Sequence, residues 1–271
     1  MNSVNTNVGA MVALQNLNAT NSELTTVQSR INTGKKIANA KDNGAIWAIA
    51  QNQRSASNAL NSVRESLQRG QSTVEVAISA GESISDILLQ MKEKALAAAD
   101  AGLDTTSRNA LADEFASLKA QITKAVSNAE FNGGNMLKQD GTTVQSLANS
   151  DASSRITVSA QTLTLSALSI AASTITTKTL ASTAIGAINA AITSVSSKLS
   201  KLGTGAKALG SHLSFVNKLQ DTIDAGVGNL VDADLAKESA RLQALQTKQQ
   251  LGVQALSIAN QSSSILLGLF R

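Results

Sequence analysis

From Ile46 to Ala98 mostly apolar or small residues return every seven positions, in two columns three residues apart, without a break. One column is Ile46, Gln53, Leu60, Leu67, Val74, Gly81, Leu88 and Ala95; the other is Ile49, Ala56, Val63, Gly70, Ala77, Ile84, Met91 and Ala98. A strict seven-residue repeat of this length predicts one helix of about 80 Å, wound with its partners into a left-handed supercoil. Gly and Ala members leave room for close approach by more than one partner. The sequence contains no Pro, so the commonest helix breaker is missing throughout. A second pair of columns begins late in the chain: Ile185, Ile192, Leu199, Ala206, Leu213, Gln220 and Val227, with Ile188, Val195, Leu202, Leu209, Val216, Ile223 and Leu230.

Both ends keep helical spacing while lacking charge. Met1–Ser22 and Gln249–Phe270 contain no ionisable side chain. Near the start Val4, Val8, Met11, Leu17, Leu24, Val27 and Ile31 fall on three- and four-residue steps or their multiples. Near the end Leu235, Leu242, Gln249, Leu256, Ser263 and Phe270 form one column, and Leu245, Gly252, Ala259 and Leu266 another. The faces opposite these stripes are rich in Asn, Gln, Ser and Thr rather than Lys and Glu. They are suited to meeting protein as well as water. The two ends are therefore expected to pair with each other and with further copies of the chain, gaining order as they assemble. The residues expected to carry self-assembly are Val4, Val8, Met11, Leu17, Leu24, Ile31, Leu235, Leu242, Leu245, Leu256, Leu266 and Phe270.

Between these helices the punctuation is clear. Ser29–Asp42, with Gly34 and three lysines, breaks the first stripe, and Asp100–Thr106 reads as a turn. A shorter helix then carries Leu111, Phe115, Leu118, Ile122 and Val126, and Phe131-Asn132-Gly133-Gly134-Asn135 ends it. Alternation over Val144–Leu147 and Arg155–Leu165 predicts one or two short β-hairpins. The helical register slips at Gly226–Asp234. The expected fold is mostly α: long antiparallel coiled-coil helices, paired N- and C-terminal helices, and a small β-hairpin region in the middle. Residues 1–41 and 232–271 are the expected terminal pair, 42–137 and 184–231 a helical rod, and 138–183 a short variable surface region at the rod's tip. Thr142–Thr183 is dense in hydroxyls, and Thr142, Thr143, Ser153, Ser154, Thr174 and Thr177 are candidate O-glycosylation sites.

Several functions are disfavoured by composition. No Cys and a single His, His212, leave no ordinary metal site and no Ser-His-Asp set. Gly203-Thr204-Gly205 lies inside a heptad run, where close helix packing explains it better than a phosphate loop. Trp47, beside the heptad column, reads as a buried anchor at an interface. No catalytic residue and no cofactor are expected. A net charge of +4, without aromatic-flanked basic clusters, gives no nucleic-acid footprint. No run of about 20 apolar residues suggests a bilayer span, and Met1–Ser22 has neither the basic start nor the apolar centre of a secretory signal.

The segment INTGKKIANAKDNGAIWAIA, Ile31–Ala50, resembles the N-terminal signature of bacterial flagellins. Thr33, Gly34, Lys36, Ile37, Ala40, Asp42 and Ala48-Ile49 match it; Lys36 stands for the usual Arg, Asn43 for a second Asp and Ile46 for a Gly. Phe131-Asn132-Gly133 is similar to the family's Phe-Asn-Gly turn. The run DLAKESARLQALQTKQQLGVQALSIANQ and the closing Leu-Phe-Arg look like an alphaproteobacterial flagellin, apart from Ser262-Ser263-Ser264 where the family has a Pro. The resemblance implies a structural subunit of the flagellar filament for swimming motility, secreted to the cell exterior without signal cleavage. Its implied partners are other flagellin subunits, hook–filament junction proteins, the filament cap, a flagellin export chaperone and the flagellar type III export apparatus. A hook–filament junction protein shares the terminal plan and is the alternative. A secreted coiled-coil effector is the alternative from another class.

Overall fold

The computed structural model describes residues 6–268, the side chains only as far as 261. Among the described residues the order is α1 (Val8–Thr33), α2 (Gly44–Ala98), α3 (Thr105–Asn128), β1 (Val144–Leu147), β2 (Arg155–Val158), α4 (Lys178–Val231) and α5 (Leu235–Gly268). The chain divides into two compact units. Residues 1–55 and 222–271 form one, and residues 56–221 the other.

In the second unit the heptad columns of α2 do what their spacing requires. Every member from Leu60 to Ala98 is buried, including Gly70 and Gly81. Helices α2 and α4 run antiparallel: Gly81 faces Leu199 and Asn61 accepts a hydrogen bond from Gln220. α3 folds back on α2, where the Arg108 guanidinium donates to Ala98 O (2.9 Å) and Asp100 O (2.8 Å), closing carbonyls at the helix end. Phe115, Leu118, Ile122 and Val126 are its buried stripe.

The register departs from the sequence reading at both ends of the columns. Ile49 is 51% exposed and Gln53 is exposed, while Ala50 and Ser57 are buried instead. Ala50 belongs to a separate cluster with Ile37, Val227 and Val231, flanked by Ile46, Trp47 and Ile223. Trp47 packs against this cluster and is half-buried rather than buried. On α4 the column Ile188, Val195, Leu202, Leu209 and Val216 is fully covered. Its companions near the start are Ala184 and Ala191 rather than Ile185 and Ile192, which are half-buried. The small alanines occupy the tightest positions and the isoleucines flank them. α4 is long and apolar enough to cross a membrane, yet Ile188, Val195, Leu202, Leu209 and Val216 are buried in the core of this unit.

The middle segment forms one hairpin, Val144 paired with Val158 through Leu147 paired with Arg155; Ser159–Leu165 is not a strand. It does not stand at a tip. β1 lies on Gly70, halfway along α2, and β2 on Gly205 of α4, each glycine providing the space that a Cβ would fill. Gly205 therefore serves close packing, against a strand rather than a helix. His212 lies with Nε2 2.7 Å from Ala148 O, a structural contact that ties the hairpin loop to α4. Leu163, Leu168, Ile170 and Ile175 are buried, so the hydroxyl-rich segment also contributes to the core. Lys119 and Lys198 hold it by donating to backbone carbonyls at Ala171, Ser173 and Thr162. Burial first, and then neighbouring Lys201, push the Lys198 amine below its ordinary range.

Candidate assembly surface

In the first unit α1 and α5 pair antiparallel. Asn7 Nδ2 donates to Ala259 O (2.7 Å), Gln249 Nε2 to Asn21 Oδ1 (2.8 Å), and the Arg30 guanidinium to Glu238 (3.2 Å). Leu17 reaches to 3.3 Å of where a Cβ on Gly252 would lie, so glycine there sets how closely the helices approach. The seam uses two columns on α1, Ala13, Thr20 and Val27 with Leu17, Leu24 and Ile31, all buried or half-buried. On α5 it uses Glu238, Leu245, Gly252 and Ala259 with Leu242, Gln249 and Leu256.

A clasp closes the pair where each helix meets its neighbour. Gly34 adopts φ 67 and ends α1, a conformation glycine takes without a Cβ penalty. This moves the break to 34–43, later than the sequence suggested, and α4 likewise runs through Gly226 and Gly228 to Val231. Lys36 N and Ile37 N then donate to Val231 O (2.7 and 3.2 Å), and Ala233 N donates to Gly34 O (2.9 Å). The Asp42 carboxylate accepts from Ala38 N and Asn39 N, shaping the following loop. Asp234 accepts from Ala236 N and Lys237 N and starts α5.

The sequence-derived assembly residues divide into three groups. Leu17, Leu24, Ile31, Leu242, Leu245 and Leu256 lie on the internal seam, with Leu245 only 5% exposed. Val8, Met11 and Leu235 are exposed by 63%, 62% and 49%. Val4, Phe270 and the Leu266 side chain lie outside the described residues. Sequence periodicity missed exposed Val12, Leu14, Leu251, Val253 and Ile258, which belong to neither seam column. It also missed Arg30, Thr20 and Glu238, because a search for apolar stripes passes over polar members. Glu238 could have been found by stepping seven residues back from Leu245. The candidate sugar acceptors Thr142, Thr143, Ser153, Ser154, Thr174 and Thr177 are all exposed.

A model of the bacterial flagellin N-terminal helical region matches residues 4–142, and one of the C-terminal helical region matches 185–270. The chain is 62% identical over 272 residues to flagellin FljM of Caulobacter vibrioides, covering 100% of this chain and 99% of that protein. The chain belongs to the bacterial flagellins. It is 39% identical over 284 residues to a flagellin of Brucella melitensis, covering both proteins completely. A crystal structure of Bacillus cereus flagellin shares the fold, with a TM-score of 0.52 at 22% identity, over 56% of this chain and 88% of that one. Membership in this family makes the protein a structural subunit of the flagellar filament, serving motility, and not an enzyme. The alphaproteobacterial resemblance in the C-terminal run is thereby confirmed.

Proposed function

We propose that this flagellin joins the filament through the faces of the α1/α5 pair that its own seam leaves open. The observation that carries this reading is the coincidence of exposed apolar groups with absent charge. Val8, Met11, Val12 and Leu14 on α1, and Leu251, Val253 and Ile258 on α5, are exposed within segments that hold no ionisable residue. The uncharged part of this helix pair, with apolar groups outside its seam, is poorly matched to water and well matched to copies of itself. Head-to-tail contact whose rotation does not close yields an open helical array. The test is removal of Leu251–Arg271. The truncated chain should remain soluble and fail to elongate filament seeds, and normal filaments by electron microscopy would refute the reading.

The finer setting is part of the same proposal, and the family resemblance supports it. The subunit is delivered to the cell exterior through the flagellar type III export apparatus with an export chaperone, and adds beneath the cap onto junction proteins at the hook. The exposed hydroxyls of Thr142, Thr143, Ser153, Ser154, Thr174 and Thr177 are proposed acceptors for O-linked sugars. A sparsely charged outer surface would associate laterally without such hydration.

A further inference from the structure

Met11 is 62% exposed, whereas Met91 and Met136 are 0% exposed. It stands between Val8 and Leu14, three positions away on either side along α1, themselves 63% and 48% exposed. No ionisable residue occurs before Glu23. The thioether is therefore open to solvent on the free subunit and sits within the face assigned above to assembly. We propose that Met11 is an oxidation site that controls subunit addition, an inference resting on that assembly reading. A peroxide-class oxidant attacks the free subunit. The sulfur donates an electron pair to one peroxide oxygen, an S–O bond forms as the O–O bond breaks, and the other oxygen leaves with both hydrogens as water. The sulfur is oxidised by two electrons and the peroxide is reduced by two.

Methionine sulfoxide replaces a flexible apolar group with a polar, chiral one. Burying its S–O dipole among Val8, Val12 and Leu14 of α1 leaves a strong acceptor without a donor. Oxidised subunits should stay monomeric, while Met11 already covered in a filament should be protected. Because the product is a substrate for methionine sulfoxide reductases, the block is reversible.

The experiment treats purified full-length subunits with hydrogen peroxide, measures oxidation at each methionine by peptide mass mapping, and follows elongation of filament seeds. Met11 should oxidise well before Met91 and Met136. The critical concentration should rise at least tenfold, equivalent to about 1.4 kcal/mol per subunit, and return after reductase treatment. A Met11→Leu chain, compared only with itself before and after peroxide, should show a ratio near one. Circular dichroism before and after treatment tests whether the subunit keeps its helices. Full oxidation of Met11 with an unchanged critical concentration would overturn the inference, as would equal peroxide sensitivity in Met11→Leu. Equal oxidation rates at Met11 in monomer and filament would overturn the protection it requires. If the Leu251–Arg271 truncation still elongates, the assembly reading itself fails; if only the peroxide results fail, that reading stands.

Discussion

Two glycines two residues apart on α4 should respond oppositely to the same substitution. Both lie inside the helix, where alanine is favoured over glycine by about 0.5–1 kcal/mol. A Cβ on Gly203 would meet nothing within 4 Å, so Gly203→Ala should stabilise the subunit by about that amount. A Cβ on Gly205 would lie 2.5 Å from Val158 Cγ1, 2.9 Å from Cγ2 and 3.3 Å from Cβ. Ordinary contact begins near 3.4 Å, so Val158 must retreat by about 0.9 Å. Val158 is 5% exposed and paired with Val144 in the hairpin, so it has little freedom to move. Overpacking of this kind costs about 1–3 kcal/mol. Set against the helix gain, Gly205→Ala should destabilise by roughly 0.5–2 kcal/mol, with faster amide exchange across β1 and β2. Urea unfolding of the monomer, followed by circular dichroism, measures both variants. Val158→Ala alongside Gly205→Ala should recover part of the loss. If Gly205→Ala stabilises as much as Gly203→Ala, the hairpin does not depend on that close approach.

Other perturbations probe different levels. Arg30→Ala removes the partner of a carboxylate whose other oxygen, Glu238 Oε2, is buried without a hydrogen bond among the described residues. The α1/α5 amides should lose about 1–3 kcal/mol of exchange protection, and Glu238→Leu in the same chain should recover much of it. Asp104 caps α3, and the Ser107 backbone N–H, followed by its hydroxyl, holds the carboxyl below its ordinary value of 3.8. Its contribution is present above that value and is lost as pH falls through the lower folded value. An NMR titration of the first-turn amides should show this acid transition, and Asp104→Asn should abolish it while keeping the cap. Assembly should strengthen amide-exchange protection of residues 8–31, whose outer face the monomer leaves open; equal protection in monomer and filament would contradict ordering on assembly. Native filaments should yield an intact mass above the bare 27.9 kDa chain if the proposed sugars are attached, and a bare mass would remove that proposal.

Helical spacing along the chain determined where the long helices lie and which side of each is buried. From Leu60 to Ala98 the columns hold without exception, because a seven-residue repeat keeps one stripe turned to the core even as the neighbour changes from β1 at Gly70 to α4 at Gly81. Alternation marked the hairpin as well: Val144–Leu147 was legible whole, while the second strand ends at Val158, short of the expected Leu165. Tertiary structure decided what spacing cannot express. Ile49 loses its place to Ala50 because the first turns of α2 pack into the cluster around Ile37, Val227 and Val231. The hairpin lies along α2 and α4 because Gly70 and Gly205 open space there, and a missing side chain does not say what fills it. Arg30 and Glu238 belong to the terminal seam through a partner 208 positions away, a pairing that no local pattern records. The same limit applies at the assembly face. Spacing identified Val8, Leu17 and Leu245 alike as apolar helix positions; only the paired helices separate the residues the chain covers itself from those it leaves for another copy.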